Sequence, residues 1–254
     1  MIICKSPAEL EKMRAANQLV AQVLEELAAM VAPGISTADL DAAAESKVRA
    51  AGAEPAFKGY RGYPATLCAS VNEQVVHGIP NRQPMKSGDI ISLDMGVKLD
   101  GYYGDSAVTV PVGSVSDEVT RLLRVTQEAL EAGIAQVKVG GRISDIGHAI
   151  QKYVEAQGFS VVREFVGHGI GASLHEEPQI ANYGEPGRGP RLAEGMTLAI
   201  EPMVNMGKAP VKVLSDGWTA VTKDGSLSAH FEHTVAVTKN GPDVLTLRPV
   251  SATR

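Results

Sequence analysis

DIISLDMGVKLDGYYGDSAVTV, from Asp89 to Val110, reads as two apolar strands meeting at Asp100-Gly101. An Asp-Gly pair between alternating apolar runs is a strong hairpin signal, because the tight turn needs positive φ at both central residues. With those two residues as the turn, Asp94 faces Ala107 and Asp105 faces Gly96. Residues 105 and 107 share a face, so both aspartates project to one side as diagonal neighbours, about 7–8 Å apart at Cα. Aspartate is depleted in strands, so each is locally out of place. Gly96 leaves open volume beside Asp105, and the spacing would let the two carboxylates grip two adjacent metal ions.

Helical patterns flank this hairpin. Ser6-Pro7-Ala8-Glu9 reads as a capping box with proline at the first helical position. Apolar residues then recur at Met13, Leu19, Val20, Val23, Leu24 and Leu27, one helical face. Pro33-Gly34 stops this helix, and a second runs from about Thr37 to Ala51, ended by Gly52. A similar pair follows, from about Ser116 to Val137 and from about Ile143 to Gln157, closed by Gly158. The pairs align without a gap at an offset of 106 residues: Val31, Gly34, Asp39, Ala43, Val48, Ala50 and Gly52 meet Val137, Gly140, Asp145, Ala149, Val154, Ala156 and Gly158. Further strand signals lie in GMTLAIEP (Gly195–Pro202) and in a meander from Val211 to Thr238. Helix pairs alternating with antiparallel hairpins predict an α+β fold, a curved antiparallel sheet covered by two pseudo-symmetric helix pairs. No linker divides it, so residues 1–254 read as one domain with an internal pseudo-twofold duplication.

Two more acids stand in apolar strand contexts. Glu201 ends MTLAIEP, and Glu232 lies between Phe231 and a valine-rich run. Buried carboxylates need a counter-charge, and few lysines or arginines lie nearby in the sequence to supply it. Divalent ions would. FVGHGIGASLHEEPQI, Phe165 to Ile180, adds His168 and His175, seven positions apart. Seven residues make two helical turns, but the glycines and Pro178 argue against a helix. On one continuous strand the two imidazoles would point to opposite faces, so Gly169–Gly171 must turn the chain if they share a site. Four carboxylates and an imidazole form a hard, oxygen-rich set that favours manganese, iron or cobalt over thiolate-bound zinc. Their number suits two bridged metals, which can hold a hydroxide between them and polarise a scissile carbonyl.

Composition sets the outer bounds. The chain has 254 residues, 44% hydrophobic and 21% charged, enough to bury a large core. A net charge of −5 without long runs of either sign argues against generic nucleic-acid binding. Cys4 and Cys68 are the only cysteines, too few for a disulfide framework and in keeping with a reducing cytosol. MIICKSPAEL lacks the apolar core of a signal peptide, and no apolar run approaches the ~18 residues of a membrane helix. The sequence therefore predicts a soluble cytoplasmic protein.

VNEQVVHGIP, LDMGVKLDGYYGDSA, GHGIG, LHEEP, IEPMVN and HFEHTVAV occur in that order along the chain. On these motifs it resembles the type I methionine aminopeptidases of the bacterial kind, over essentially its whole length. The resemblance implies the pita-bread fold around a dinuclear metal centre, and removal of an N-terminal methionine with preference for a small second residue. It places the metal ligands at Asp94, Asp105, His168, Glu201 and Glu232. Asp105 and Glu232 would bridge both ions, Asp94 would hold one, and His168 and Glu201 the other. It makes Glu201 a proton shuttle, His175 a donor to the substrate carbonyl as it becomes an oxyanion, and His77 a contact of the scissile amide. Its methionine pocket maps onto Phe57, Tyr60, Tyr63, Cys68, Leu174 and Trp218, together with His77 and His175. It implies a monovalent cation near Asn72 and Ser228, a monomer, a transient ribosome contact, and the N-terminal methionine of polypeptides as substrate.

Three positions depart from the family's pattern. Phe57 stands where a cysteine is expected, and Leu174 where a phenylalanine is, an exchange that could conserve pocket volume. His230 replaces a common glutamine; it shares strand parity with Glu232 and is expected in an outer role. His233 should face away from the metals, His148 is expected at a surface or interface, and Glu176 and Glu177 are expected to be structural. Proline-directed aminopeptidases of this fold usually carry a large additional N-terminal domain, whereas the first helix here begins near residue 7. A dinuclear phosphoesterase would want lysine, arginine or a helix N-terminus beside the metals, and the ligand motifs contain none.

Overall fold

A computed structural model describes residues 1–247. Its elements run α1 (Pro7–Met30), α2 (Thr37–Ala50), β1 (Glu54–Pro55), β2 (Cys68–Val71), β3 (Gln74–Val76), β4 (Ile90–Leu99) and β5 (Tyr102–Pro111). After these come α3 (Asp117–Ile134), α4 (Ile143–Ala156), β6 (Ser160–Val161), β7 (Gly167–Gly169), β8 (Glu176–Ile180), β9 (Thr197–Ile200) and β10 (Met203–Asn205). The last are β11 (Val211–Val213), β12 (Ala220–Thr222), β13 (Ser228–His230), β14 (Glu232–Thr238) and β15 (Gly241–Val244). No described helix is long and apolar enough to cross a membrane.

The hairpin forms as its turn chemistry predicts. Asp100 and Gly101 take φ of 48° and 83°, and the register pairs Asp94 with Ala107 and Gly96 with Asp105. It is the spine of the main antiparallel sheet, ordered β1-β4-β5-β14-β9-β7-β8, with β2 on β4 and β15 on β14. Strand alternation then divides the two faces. Ile91, Leu93, Met95 and Val97 pack under Val20, Leu24, Leu27, Leu40 and Val48 of the first helix pair. Leu198, Ile200, Val235 and Val237 pack under Leu122, Leu130, Ile146, Ile150 and Val154 of the second. Residues of opposite parity, including Asp94, Asp105, Glu201 and Glu232, are left on the face away from the helices.

The helix pairs repeat their local chemistry. Asp39 and Asp145 each accept the backbone N–H of the residue three before, Ser36 and Arg142. Gly34 and Gly140 have φ of 94° and 88°. At the far ends, Ala53 N–H reaches Val48 C=O and Phe159 N–H reaches Val154 C=O, the six-to-one bond of a Schellman cap with Gly52 and Gly158 in the left-handed conformation.

The stretch from Val211 to Thr238 is not one meander. β11 pairs with β12, which pairs with β3; β13 pairs with β10, which pairs with β6; and only β14 joins the main sheet. The physical reason lies at Glu201-Pro202. Pro202 has no N–H to offer the ladder, so β9 and β10 are separated there, and opposite them Phe231 separates β13 from β14. Phe231 N–H instead reaches Pro202 C=O. The register is unchanged across the interruption, since His233 pairs with Ile200 on one side and His230 with Met203 on the other. Glu201 and Glu232 therefore face each other directly where two strands leave the sheet.

Helix α1 sits close on β5 because Gly104 has no side chain. A Cβ there would lie 2.7 Å from the Ala16 carbonyl carbon and 2.8 Å from Asn17 N. We predict that Gly104→Ala lowers the unfolding free energy by about 1–3 kcal/mol, measured by urea denaturation, through displacement of α1. An unchanged midpoint and slope would refute this close-packing account.

Candidate active site

Register alone gathers the acids. Across β2, β4, β5, β14 and the end of β9, one row runs Cys68, Asp94, Ala107, Glu232 and Glu201. Asp105 is two residues from Ala107 on the same strand. His168 pairs with Ala199, two residues before Glu201. A period of two puts all of these side chains on one sheet face.

The side chains converge accordingly. His168 Nε2 lies 3.9 Å from Asp105 Oδ2 and 3.6 Å from Glu201 Oε1. Asp105, His168 and Glu232 each offer a donor atom within 4.8 Å of the other two, as a shared ion would require. His168 Nδ1–H donates to Gly169 C=O at 2.9 Å, which fixes the tautomer and leaves the Nε2 lone pair facing the carboxylates. Thr234 Oγ1–H and Ser106 Oγ–H donate to the main-chain carbonyls of Asp105 and Glu232. Asn17 adds a bond from Asp105 N–H to its side-chain oxygen, so α1 also steadies this strand.

The electrostatics are unbalanced. Among the described residues, no lysine or arginine pairs with any of the four carboxylates; their only ion-pair partners are histidines. Burial pushes Asp94 up to about 7. Burial and then the charge of the neighbouring acids hold Asp105, Glu201 and Glu232 well above the usual carboxylate range. Burial also lowers His168 to about 3, which keeps it neutral and able to ligate. Asp105 Oδ1 and Glu232 Oε1 are buried without a hydrogen-bond partner. Orphaned buried oxygens, hard donors and missing cations together fit divalent metal ions.

These acids floor a cavity of about 170 Å³ whose walls are Phe57, Tyr60, Tyr63, Cys68, His77, Leu174, His175 and Trp218. Every ligand and pocket residue expected from the sequence thus lines one space. Tyr63 packs edge-on against Trp218, with centroids 5.2 Å apart. Its hydroxyl donates to the carbonyls of Leu67 and Gly78, tying the pocket wall to the segment after His77. His77 takes φ of 61°, an unusual backbone state for a non-glycine residue. Leu174 is buried against Ile170 and Met13, with Phe57 and Tyr60 alongside. His168 and His175 come within 4.2 Å, centroid to centroid, because the chain turns between β7 and β8.

The outlying residues sort as follows. His230 is buried with Nε2 3.7 Å from Glu201 Oε2, and neither ring nitrogen has a hydrogen-bond partner. His233 faces away and meets Thr246 Oγ1 at 2.7 Å. His148 Nδ1–H donates to Gly184 C=O. Glu176 is claimed by Lys5 at 2.5 Å, both side chains being buried. Asn72 and Ser228 lie outside the cavity, joined by Ser228 N–H to Asn72 C=O. Arg61, which no motif marks, lines the same cavity with φ of 50°. The glycines on either side of Tyr60-Arg61 were the available signal, since they permit the turn that puts it there.

Residues 11–239 match the model of Metallopeptidase family M24. The chain is 57% identical to methionine aminopeptidase 1 of Bacillus subtilis, over 97% of this chain and 99% of that one. It superposes on the methionine aminopeptidase of Thermotoga maritima with a TM-score of 0.96 at 49% identity, covering 98% of this chain and 100% of the other. Prolidase from Pyrococcus furiosus matches with a TM-score of 0.78 at 22% identity, over 97% of this chain and 66% of that chain, a likeness of fold alone. With its pita-bread sheet and its cluster of unpaired acids, the chain belongs to metallopeptidase family M24, on the methionine aminopeptidase side of it.

Proposed function

We propose that this site removes the N-terminal methionine from polypeptides, preferring a small second residue, with two divalent ions held by Asp94, Asp105, His168, Glu201 and Glu232. The observation that carries the reading is the row of acids that, among the described residues, no lysine or arginine pairs, at the floor of a cavity walled largely by aromatic rings. Asp105 and Glu232, each with an unpartnered buried oxygen, would contribute to holding both ions. Asp94 would hold one ion, and His168 and Glu201 the other. Divalent ions here would polarise the scissile carbonyl and acidify the attacking water. Manganese, iron and cobalt suit the donor set.

The protein's own groups supply the rest. Glu201, set between His168 and His230, takes the proton of the attacking water and returns it to the leaving amine. His175 donates to the substrate carbonyl oxygen as negative charge builds there. His77 contacts the scissile amide. Tyr63, Trp218 and Phe57 offer ring faces and edges to the thioether, a contact that soft sulfur favours, and Leu174 closes the wall. On this reading the enzyme works in the cytoplasm as a monomer, meets emerging chains in a transient ribosome contact, and carries a monovalent cation near Asn72 and Ser228.

The test is peptide cleavage by metal-depleted protein with manganese, cobalt or iron restored. We expect methionine release from Met-Gly peptides only when metal is present, slower release from Met-Leu, and little proline from Pro-Gly. Turnover that survives chelation, or faster removal of proline, would sink the reading. Manganese should raise the melting temperature of wild-type protein, and Glu232→Gln should abolish most of that rise; an equal rise in the variant would remove Glu232 from the ligand set. His175→Ala should lower kcat by roughly 10²–10³-fold, the loss typical of an oxyanion donor, with the manganese stabilisation retained.

A further inference from the structure

His168 and His175 are neighbouring imidazoles whose Nδ1 atoms meet opposite kinds of partner. His168 Nδ1 faces a carbonyl, Gly169 C=O, which can only accept. His175 Nδ1 lies 2.9 Å from the Tyr60 hydroxyl, and the two rings are stacked with centroids 5.2 Å apart at 24°. A neutral imidazole has one N–H and one lone pair, and the bond at one nitrogen decides which the other presents. A phenol is a good donor, and its oxygen is a weak acceptor because the ring withdraws its lone pair. The imidazole nitrogen is the better acceptor, so the favoured arrangement is O–H to Nδ1, which places the proton on Nε2.

Both partners have their backbones fixed. Tyr60 stands in a tight turn closed by Tyr60 N–H to Phe57 C=O at 2.9 Å and Gly59 N–H to Tyr63 C=O at 2.8 Å. His175 is followed by Glu176, which the buried Lys5 holds at 2.5 Å and which also accepts Ser173 N–H. Among the described residues, no hydrogen-bond partner meets His175 Nε2.

We propose that Tyr60 is a positioning residue that locks His175 in the Nε2–H tautomer, opposite to that of His168, so that one histidine presents a lone pair to metal and its neighbour presents a donor to substrate. The inference deepens the reading of His175 as the oxyanion donor and rests on it. It also gives two imidazoles 4.2 Å apart different roles: with its lone pair occupied by the phenol, His175 has none to offer a metal at Nδ1.

Nitrogen-15 NMR of histidine-labelled, zinc-loaded enzyme reads the tautomers directly. We expect Nε2–H for His175 and Nδ1–H for His168. In Tyr60→Phe, His175 should become a mixture and kcat should fall about tenfold, the size of one net hydrogen bond, with zinc affinity and KM unchanged within about twofold. p-Aminophenylalanine at position 60, which restores an N–H donor, should recover the Nε2–H form and most of the rate. An Nδ1–H His175 in the wild type, or full kcat in Tyr60→Phe, overturns the proposal. Full turnover in His175→Ala would instead overturn the donor reading, leaving the tautomer measurement as an independent result.

Discussion

Four carboxylates held on one sheet face without a lysine or arginine among them are the constraint on which the rest of this structure depends. Burial raises the pKa of all four, and the charge of neighbouring acids raises Asp105, Glu201 and Glu232 further. An apolar core would not tolerate this arrangement. It persists because the strands that carry the acids are locked elsewhere, by two helix-covered cores on the opposite face. The charge problem on one side is therefore set against packing on the other, and cations on the acid side are the physical complement.

The sheet is broken where the chemistry needs reach. A continuous ladder would keep Glu201 and Glu232 inside a paired strand. Pro202 ends β9 one residue after Glu201, and Phe231 parts β14 from β13 just before Glu232. The facing register survives the break, so the two acids stay opposed while the flanking strands diverge into a second small sheet. The same divergence leaves His230 beside Glu201. On the other edge, the turn between β7 and β8 brings His175 back over His168, which a straight strand would forbid.

Much of this was legible because period-two alternation is a local property. Asp100-Gly101 set the turn, the turn set the register, and the register put Asp94 and Asp105 on one face. A capping box at Ser6 and terminal glycines marked the helix pairs, and the dihedrals of the aligned glycines repeat. The features that depart from these local patterns have non-local causes. The stretch from Val211 to Thr238 carries real turn signals, yet its strands go to three sheets: β11 and β12 form one with β3, and β13 parts from β14 opposite a proline that lies elsewhere in the chain. Arg61 carries no motif of its own, and only the fold of the Gly59–Gly62 turn brings it to the cavity. Lys5 and Glu176 are 171 residues apart, and nothing in either neighbourhood announces their pairing.

By itself, the sequence determined which residues could carry the chemistry and on which face of a strand each would stand, because turn type and alternation depend only on near neighbours. It also determined the family, through motifs whose order and spacing leave little room for another fold. Tertiary structure alone decided what each side chain meets: that Glu201 sits between two imidazoles, that Asn17 of α1 supports Asp105, and that His168 and His175 lie side by side with different partners at Nδ1. Those contacts join residues far apart in the chain, and their geometry is set by how two packed cores close a curved sheet, which no local pattern encodes.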